Sequence, residues 1–211
     1  GVRAVPQFLA LGAKQITVYS RDEYKQFQMR RAFKGDPRLQ FTLGDVRDRT
    51  HLAEACHGVD YLIHAAAMKQ VPSCEENVEE AIKTNVLGTA NVVHVAIANG
   101  VDCAINLSAD KALYPASVYG ATKFLSEKLF TEGNRRSSVR FVNLRYSNVM
   151  ASRGSVFEVF RERLLKGGTV SVFDPRMRRF FLTQREVFDL CMFAFENSVG
   201  GETYIKESQP V

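Results

Sequence analysis

Tyr119 and Lys123 are the residues whose types and spacing point most directly to chemistry. Side chains four positions apart share one face of a helix, so a helix here would bring the two together. A neighbouring ammonium favours the phenolate and lowers the pKa of a phenol from its ordinary value of about 10. The pair therefore predicts a base that removes a proton from a hydroxyl group. The same spacing also occurs on ordinary amphipathic helices, where the Tyr packs and the Lys is solvated.

Asp110 and Lys111 supply two further groups that can handle protons. They follow the apolar run VDCAINLS at residues 101–108, which predicts a buried parallel strand. Ligands bind at the carboxyl ends of such strands in open α/β sheets. We therefore expect both side chains at the mouth of a sheet, although a solvated ion pair at a strand end would have the same sequence.

Composition narrows the class of protein. The 211 residues can form one sizeable core with a small appended lobe, and the basic residues behind the net charge of +5 are scattered. This distribution favours phosphate-bearing small molecules over nucleic acid. Cys56, Cys74, Cys103 and Cys191 lack metal-ligand spacing, so we expect reduced thiols and no metal site. No apolar run reaches the ~20 residues that span a bilayer, and no secretory signal opens the chain, which predicts a cytoplasmic protein without a membrane partner.

Apolar strands alternate with amphipathic helices along most of the chain. This alternation predicts an α/β fold, a Rossmann-like doubly wound parallel sheet. The predicted strands are QITVY, LQFTL, VDYLIHAAA, VDCAINLS and VRFVNLRY. After residue 148 the pattern becomes Gly-punctuated and Arg-rich, with a predicted helix over 156–165 and a short strand TVSVF. We therefore predict a dinucleotide-binding domain over 1–148 and a small, incomplete substrate lobe over 149–211.

The beginning of the chain is unusual for such a fold. A strand followed by a glycine-rich phosphate-binding turn is expected, but Gly1 leads directly into a helix-like stretch. Counting back from QITVY, Gly1 occupies the position of the last glycine of that turn. We therefore expect the first strand and most of the turn to be missing, which would leave an interior gap in the sheet. Pro6, within the helix-like stretch, is a second anomaly because proline disrupts helix interiors.

Six segments, taken together and in order, resemble one known family. These segments are LGDVRD, HAAAMKQVP, IKTNVLGTANVV, SADKALYPASVYGATK, RYSNVMASRGSV and DPRMRRFFLT. They resemble the soluble UDP-N-acetylglucosamine 4,6-dehydratases that invert carbon 5, within the extended short-chain dehydrogenases/reductases. The resemblance runs from Gly1 to about Tyr204. A longer, membrane-anchored relative usually has Met at the position of Tyr119, so Tyr119 favours the short soluble branch.

The resemblance implies roles for the four catalytic candidates. Tyr119 would take the proton of the sugar 4-hydroxyl, while Lys123 would lower the pKa of the phenol and hydrogen-bond the nicotinamide ribose. Lys111 is the candidate base at carbon 5 and Asp110 the candidate acid for the departing 6-hydroxyl. Ala109 departs from the family, which usually has Thr or Ser there, and the lost hydroxyl is expected to slow catalysis.

The resemblance also implies a bound dinucleotide. Arg21 follows the strand QITVY, which is the second strand of the expected sheet if the first is missing. An Arg at this position favours a 2′-phosphate, so NADP is expected in preference to NAD. Two local alternatives remain open: Ser20 and Glu23 could form a helix capping box, and Asp45 and Val46 could serve a turn and the core. The cofactor-binding candidates are Gly1, Ser20, Arg21, Asp45, Val46, Ala65, Ala66, Ala67, Lys69, Tyr119 and Lys123.

The expected substrate is UDP-N-acetylglucosamine or a related UDP-sugar. Guanidinium groups suit a diphosphate because they donate two aligned, charge-assisted hydrogen bonds. The substrate-binding candidates are Lys69, Asn148, Arg153, Arg176, Met177 and Arg179. The implied activity makes a 4-keto-6-deoxy sugar nucleotide for bacterial surface or flagellar glycans, and the family commonly forms homo-oligomers.

Two other functions remain open. A UDP-sugar 4-epimerase uses the same Tyr-x-x-x-Lys chemistry but needs no acid and base to expel the 6-hydroxyl, so Asp110 and Lys111 favour dehydration. A non-catalytic nucleotide binder, or an inactive fragment, would account for the start at Gly1 and for Ala109.

Overall fold

The computed structural model describes residues 4–150, 152, 155–172, 174–208 and 210. The described chain alternates strands and helices, which confirms the predicted α/β fold. The helices are α1 (Val5–Ala10), α2 (Glu23–Ala32), α3 (Arg49–Ala55), α4 (Val71–Glu76), α5 (Val78–Ala81), α6 (Gly88–Ala98), α7 (Val118–Arg135), α8 (Val156–Leu165) and α9 (Gln184–Asn197). The strands are β1 (Ile16–Ser20), β2 (Leu39–Leu43), β3 (Tyr61–His64), β4 (Cys103–Leu107), β5 (Arg140–Arg145), β6 (Asn148–Val149), β7 (Phe181–Leu182) and β8 (Thr203–Ile205).

The main sheet has four parallel strands in the order β3-β4-β5-β8, and β1 pairs in parallel with β2 in a separate two-stranded sheet. Among the described residues, no strand pairs with the second edge of β1 or of β3. In the doubly wound order 3-2-1-4-5-6, the position between these two edges belongs to the first strand. Over the described residues the parallel strands thus form two separate sheets, which is consistent with the expected gap.

The core explains why apolar residues lie on both faces of β4 and β5. Alternate residues point to opposite faces of a strand, and both faces here are covered. Ala104 and Phe141 join a cluster on the side of α3, α6 and α7, whereas Ile105 and Val142 join a second cluster with Cys191 of α9. Strands buried on both faces need apolar residues at successive positions, as at residues 103–105 and 141–142, while the buried Asn106 and Asn143 satisfy each other by a hydrogen bond.

The two sheets share the first of these clusters. Tyr19 of β1 and Leu62 of β3 both pack against it, next to Val46 and Leu52. Apolar packing therefore joins β1 and β2 to the main sheet, although no strand pairing does so within the described ranges.

Helix α1 removes the anomaly of Pro6. The helix begins at Val5, so Pro6 lies in the first turn, where a backbone N–H has no partner within the helix. The missing donor therefore costs no helical hydrogen bond.

Two predictions about the second half of the chain need correction. The predicted strand TVSVF is irregular over 169–172, with residue 173 outside the described residues, because no described strand lies beside it to accept its hydrogen bonds. The predicted boundary after residue 148 assigns α9 and β8 to a separate lobe, but β8 pairs with β5 and α9 packs on the main sheet. Within the described residues, β6 and β7 pair with each other and not with the main sheet.

Phe130 tests the contribution of the core to stability. Its side chain is fully buried on α7, 5.2 Å from the ring of Phe141 and 6.2 Å from that of His64 between centroids. Replacing Phe130 with Ala leaves a cavity, and we expect it to lower the free energy of unfolding by about 3–5 kcal/mol in urea denaturation. Leu165→Ala, at a position 74% exposed, is the control and should change it by less than about 0.5 kcal/mol. Equal effects would contradict this packing.

Candidate active site

Tyr119 and Lys123 lie on the first turns of α7, as the spacing predicts. The hydroxyl of Ser117 accepts a hydrogen bond from the backbone N–H of Gly120, and this cap starts the helix two residues before Tyr119. Lys123 is buried, and its Nζ donates to the backbone carbonyl of Leu107 over 2.7 Å. Leu107 is the last residue of β4, so Lys123 ties α7 to the carboxyl end of that strand.

The electrostatics of the pair differ from the expectation. Burial, with smaller contributions from the nearby Asp110 and Cys74, raises the pKa of Tyr119 to about 12. Burial lowers the pKa of Lys123 to about 8, against an opposing contribution from Glu127. The expected lowering of the Tyr119 pKa by Lys123 is therefore absent in this structure, where the ammonium is engaged by the Leu107 carbonyl.

Asp110 and Lys111 lie on a short 3-10 turn that follows β4. The backbone N–H of Asp110 donates to the carbonyl of Tyr146, which joins the turn to the residue after β5. The Asp110 carboxylate and Lys111 Nζ form an ion pair at 3.0 Å, and about half of each side chain is exposed. The two groups thus lie at the mouth of the sheet, as predicted, and pair with each other there.

A cleft of about 420 Å³ opens beside this turn. Strand β6 pairs with β7, and the backbone N–H of Asn148 donates to the carbonyl of Phe180, which brings a basic loop next to the end of β5. The residues that line the cleft are Asp110, Lys111, Asn148, Arg178, Arg179 and Phe180. Lys111, Arg178 and Arg179 supply three positive charges against the one carboxylate of Asp110, and this excess of positive charge suits an anionic ligand.

The predicted substrate residues are only partly brought together. Asn148 and Arg179 line the cleft, whereas the guanidinium of Arg176 is held by Asp174, with the shorter contact at 2.7 Å. Met177 is about half exposed and does not line the cleft, Lys69 lies exposed after β3, and Arg153 lies outside the described residues. Phe180 was not predicted from the sequence. It lines the cleft, and its backbone carbonyl accepts a hydrogen bond from Asn148, a contact between residues far apart in the chain.

The residues predicted to bind the adenosine half of the cofactor lie at the ends of β1 and β2. Arg21 Nη1 lies 3.4 Å from the carboxylate of Asp45, and the backbone N–H and the guanidinium of Arg47 also donate to that carboxylate. Burial opposes ionisation of Asp45, but the bonds from Arg47 and the charge of Arg21 lower its pKa overall. Asp45 therefore organises a turn, and Val46 is buried in the core, as the structural alternatives proposed.

Ser20 does not form the expected capping box with Glu23. Asp22 is the N-cap of α2 and accepts from the backbone N–H of Lys25, while the Ser20 hydroxyl accepts from the N–H of Asp22. The cap lies two residues later than predicted because the strand runs through Ser20. Arg21 is left more than half exposed at the strand end.

Ala65, Ala66 and Ala67 form the segment that follows β3. Ala65 and Ala66 are exposed and Ala67 is half-buried, which leaves an open strip for a ligand. Asn85 anchors the end of this strip, because its side chain accepts from the N–H of Met68 and donates to the carbonyl of the same residue. Asn85 lies in the segment IKTNVLGTANVV, which carried the resemblance but no assigned role.

The described residues fit a dinucleotide only along part of its expected length. Arg21, Asp45 and the three alanines lie at carboxyl ends of parallel strands, where such a ligand binds. Gly1, the candidate for the phosphate turn, lies outside the described residues. Over the ranges that the structure covers, no group of His, Cys, Asp and Glu could hold a metal ion, and no helix is long and apolar enough to cross a bilayer.

Comparison with known proteins extends these observations. The whole chain, residues 1–211, matches the family described as "Polysaccharide biosynthesis protein". A curated protein of Rickettsia rickettsii (strain Sheila Smith), named UDP-glucose 4-epimerase, is 46% identical over 198 residues, which make up 92% of this chain and 58% of the relative. The chain thus spans little more than half the length of such curated relatives.

Solved structures are also similar. The X-ray structure of Pen from Bacillus thuringiensis is 34% identical with a TM-score of 0.95, over 99% of this chain and 67% of that chain. DesIV, a dTDP-glucose 4,6-dehydratase from Streptomyces venezuelae solved with NAD and TYD bound, is 24% identical with a TM-score of 0.92, over 100% of this chain and 73% of that chain. At that identity, the second likeness supports the fold alone.

Lys123 provides a test of the burial at the site. Its folded-state pKa of about 8 lies below the ordinary value of 10.5, so the unfolded chain binds the proton first as the pH falls. As the pH is lowered from about 10 to about 8, the free energy of unfolding of the wild type should therefore fall by about 2 kcal/mol relative to that of Lys123→Met. Urea unfolding at both pH values measures this change. Lys128→Met, at an exposed lysine of the same helix, is the control, and a pH-independent difference for Lys123→Met would contradict the buried ammonium.

Proposed function

The chain belongs to the polysaccharide biosynthesis protein family, and from this premise we propose that it is an NADP-dependent UDP-N-acetylglucosamine 4,6-dehydratase that also inverts carbon 5. The observation that carries the proposal is the position of the Asp110–Lys111 turn. It lies close enough to Tyr119 for the carboxylate to raise the pKa of the phenol, and it opens on the cationic cleft. An acid and a base beside a Tyr-Lys pair are what removal of a 6-hydroxyl requires.

Each side chain has a defined task in the proposed reaction. Tyr119 takes the proton of the sugar 4-hydroxyl, and Lys123, one helical turn further on, would hydrogen-bond the nicotinamide ribose. The ketone at carbon 4 acidifies the proton on carbon 5, which Lys111 removes. Asp110 protonates the departing 6-hydroxyl, so that water leaves. The ion pair at 3.0 Å holds the two groups within reach of each other, so transfer of one proton from the Lys111 ammonium to the Asp110 carboxylate would give the neutral amine and the carboxylic acid that these two steps use.

NADP, when bound, supplies the acceptor for the hydride at carbon 4 and its donor at carbon 6. Arg21 would meet the 2′-phosphate, Asp45 the adenine edge, and Ala65–Ala67 would let the dinucleotide lie close to the backbone. The exposure of Arg21 supports this assignment, because its long 3.4 Å contact with Asp45 leaves the guanidinium able to turn towards a phosphate.

The diphosphate of the sugar nucleotide would bind in the cleft. Arg178 and Arg179 supply guanidinium groups and Asn148 an amide, and Lys111 and Asp110 also line the cleft. Ala109 is buried and adds no hydroxyl, and the neighbouring Ser108 donates its hydroxyl to Glu127 rather than to the cleft. Catalysis therefore depends on Tyr119 without help from a hydroxyl at the end of β4.

A UDP-sugar 4-epimerase is the second candidate. The curated relatives at 44–46% identity carry the name UDP-glucose 4-epimerase, and Tyr119 with Lys123 would suffice for that reaction. In an epimerase, Asp110 and Lys111 would have no role at carbons 5 and 6.

One experiment separates the two activities. The chain is incubated with NADP and UDP-N-acetylglucosamine, or with UDP-glucose, in deuterated water, and the products are analysed by mass spectrometry and NMR. Dehydration predicts loss of one water and deuterium at carbon 5, and Lys111→Met or Asp110→Asn should slow it by about 100-fold or more. Lys166→Met, at an exposed lysine, is the control. Epimers without loss of water would replace the dehydratase by the epimerase, and a folded chain that binds no sugar nucleotide would identify a non-catalytic fragment.

Arg21 tests the proposed cofactor preference. Arg21→Ala removes the cation expected at the 2′-phosphate and should weaken NADP binding about tenfold in isothermal titration, with NAD binding nearly unchanged. Arg161→Ala, at an exposed position on α8, is the matched control. An equal loss of affinity for both dinucleotides would contradict a 2′-phosphate contact.

A further inference from the structure

Glu127 is a buried acidic residue on the same face of α7 as the catalytic pair, one turn beyond Lys123 and two beyond Tyr119. Its carboxylate accepts a hydrogen bond from the Ser108 hydroxyl at 2.6 Å. The same carboxylate receives Nε and Nη2 of Arg145 at 3.1 and 2.6 Å. These bonds fix the carboxylate beneath the site and prevent it from turning to solvent.

Lys123 and Glu127 bind consecutive residues of the chain. Lys123 Nζ donates to the carbonyl of Leu107, and Glu127 accepts from the side chain of Ser108. The ammonium and the carboxylate are therefore held on adjacent residues at the end of β4. The backbone N–H of Ser108 donates to Leu144 of β5, which fixes this strand end in turn.

The other titratable groups around the pair carry little charge. Burial lowers the pKa of His64 to about 3, so its imidazole is neutral at working pH. Burial raises the pKa values of Cys74 and Tyr146, which keeps the thiol and the phenol protonated. Among the described residues, the charged groups on the surrounding elements are Asp110 and Lys111 after β4, Arg145 on β5 and Glu127 on α7.

We propose that Glu127 is a positioning residue for the reaction, acting through Lys123: its fixed carboxylate keeps the buried ammonium charged beside Tyr119. The inference rests on the proposed function for its catalytic meaning. Burial alone favours loss of the Lys123 proton, and Glu127 is the group that opposes this loss. A charged Lys123, one helical turn from Tyr119, would favour a phenolate formed during the proposed reaction.

The alternative role for Glu127 is to neutralise Arg145, with which its carboxylate pairs. In that role, removing the charge at position 127 would leave the pKa of Lys123 unchanged. A group that acts through Lys123 must instead move the pH at which that lysine titrates. The two roles therefore differ in a measurable quantity.

The test is a titration of Lys123 in chains carrying ¹³C-labelled lysine, with the Cε resonance assigned by its loss in Lys123→Arg. Glu127→Gln should move the midpoint to lower pH by about one unit, because one nearby charge is removed. Glu127→Asp should restore most of the difference. Glu132→Gln is the matched control, since Glu132 lies on the same helix and pairs with Arg136 at the surface. An unchanged midpoint in folded Glu127→Gln overturns the inference.

A second variant covers the case in which Glu127→Gln does not fold. Arg145→Met keeps the carboxylate and removes its competing cation, so the Lys123 midpoint should rise. A midpoint that stays in place in this variant also overturns the inference.

The pH dependence of turnover separates this inference from the proposed function. In Glu127→Gln, the alkaline limb of the kcat/KM profile should move to lower pH together with the Lys123 midpoint. If the wild-type chain turns over no UDP-sugar, the proposed function fails, while the NMR midpoint still decides whether Glu127 controls Lys123.

Discussion

The hydrogen bonds between α7 and the two central strands are the constraint on which the site depends. Ser126 donates to the side chain of Asn106, and Asn106 donates to that of Asn143, all three of them buried. Lys123 adds its bond to the end of β4. A buried polar group left without a partner costs roughly 1–3 kcal/mol, so sliding the helix along the sheet would break several such bonds at once. One register of α7 on β4 and β5 is therefore strongly favoured.

This register determines where the chemistry occurs. Because Lys123 and Glu127 hold the end of β4, the turn that follows must leave the sheet close to Tyr119. Asp110 then lies near the phenol, and its pairing with Lys111 places both groups on the wall of the cleft. The buried hydrogen bonds of Asn106, Lys123 and Ser126, called here the polar seam, therefore stabilise the fold. The same bonds fix the positions of the four side chains that act on the sugar in the proposed reaction.

The same seam explains the contrast between buried and exposed charge. Lys123, Glu127 and Arg145 lie largely inside the protein, where each charge is costly unless it is paired and hydrogen-bonded. Arg178 and Arg179 lie exposed at the cleft, where charge attracts an anion at little cost. The inner charges can control protonation, whereas the outer ones suit binding of a phosphate-bearing ligand.

The sequence alone predicted the parallel α/β fold, the interior gap in the sheet and the helix that carries Tyr119 and Lys123. These features follow from local patterns: continuous apolar runs, a period of four residues and turn residues at strand ends. It also predicted that Asp110 and Lys111 leave the end of a strand, because that position depends on two neighbouring segments only.

The tertiary structure decided the features that depend on residues far apart in the chain. Arg178 lies at the cleft because β7 pairs with β6, and α9 and β8 return to the main sheet although the composition suggested a separate lobe. The direction of the Tyr119 pKa shift depends on burial and on Asp110, and the contacts of Glu127 come from Ser108 and from Arg145 of β5. Spacing along the chain carries no information on depth within the protein, so only the packed structure could decide them.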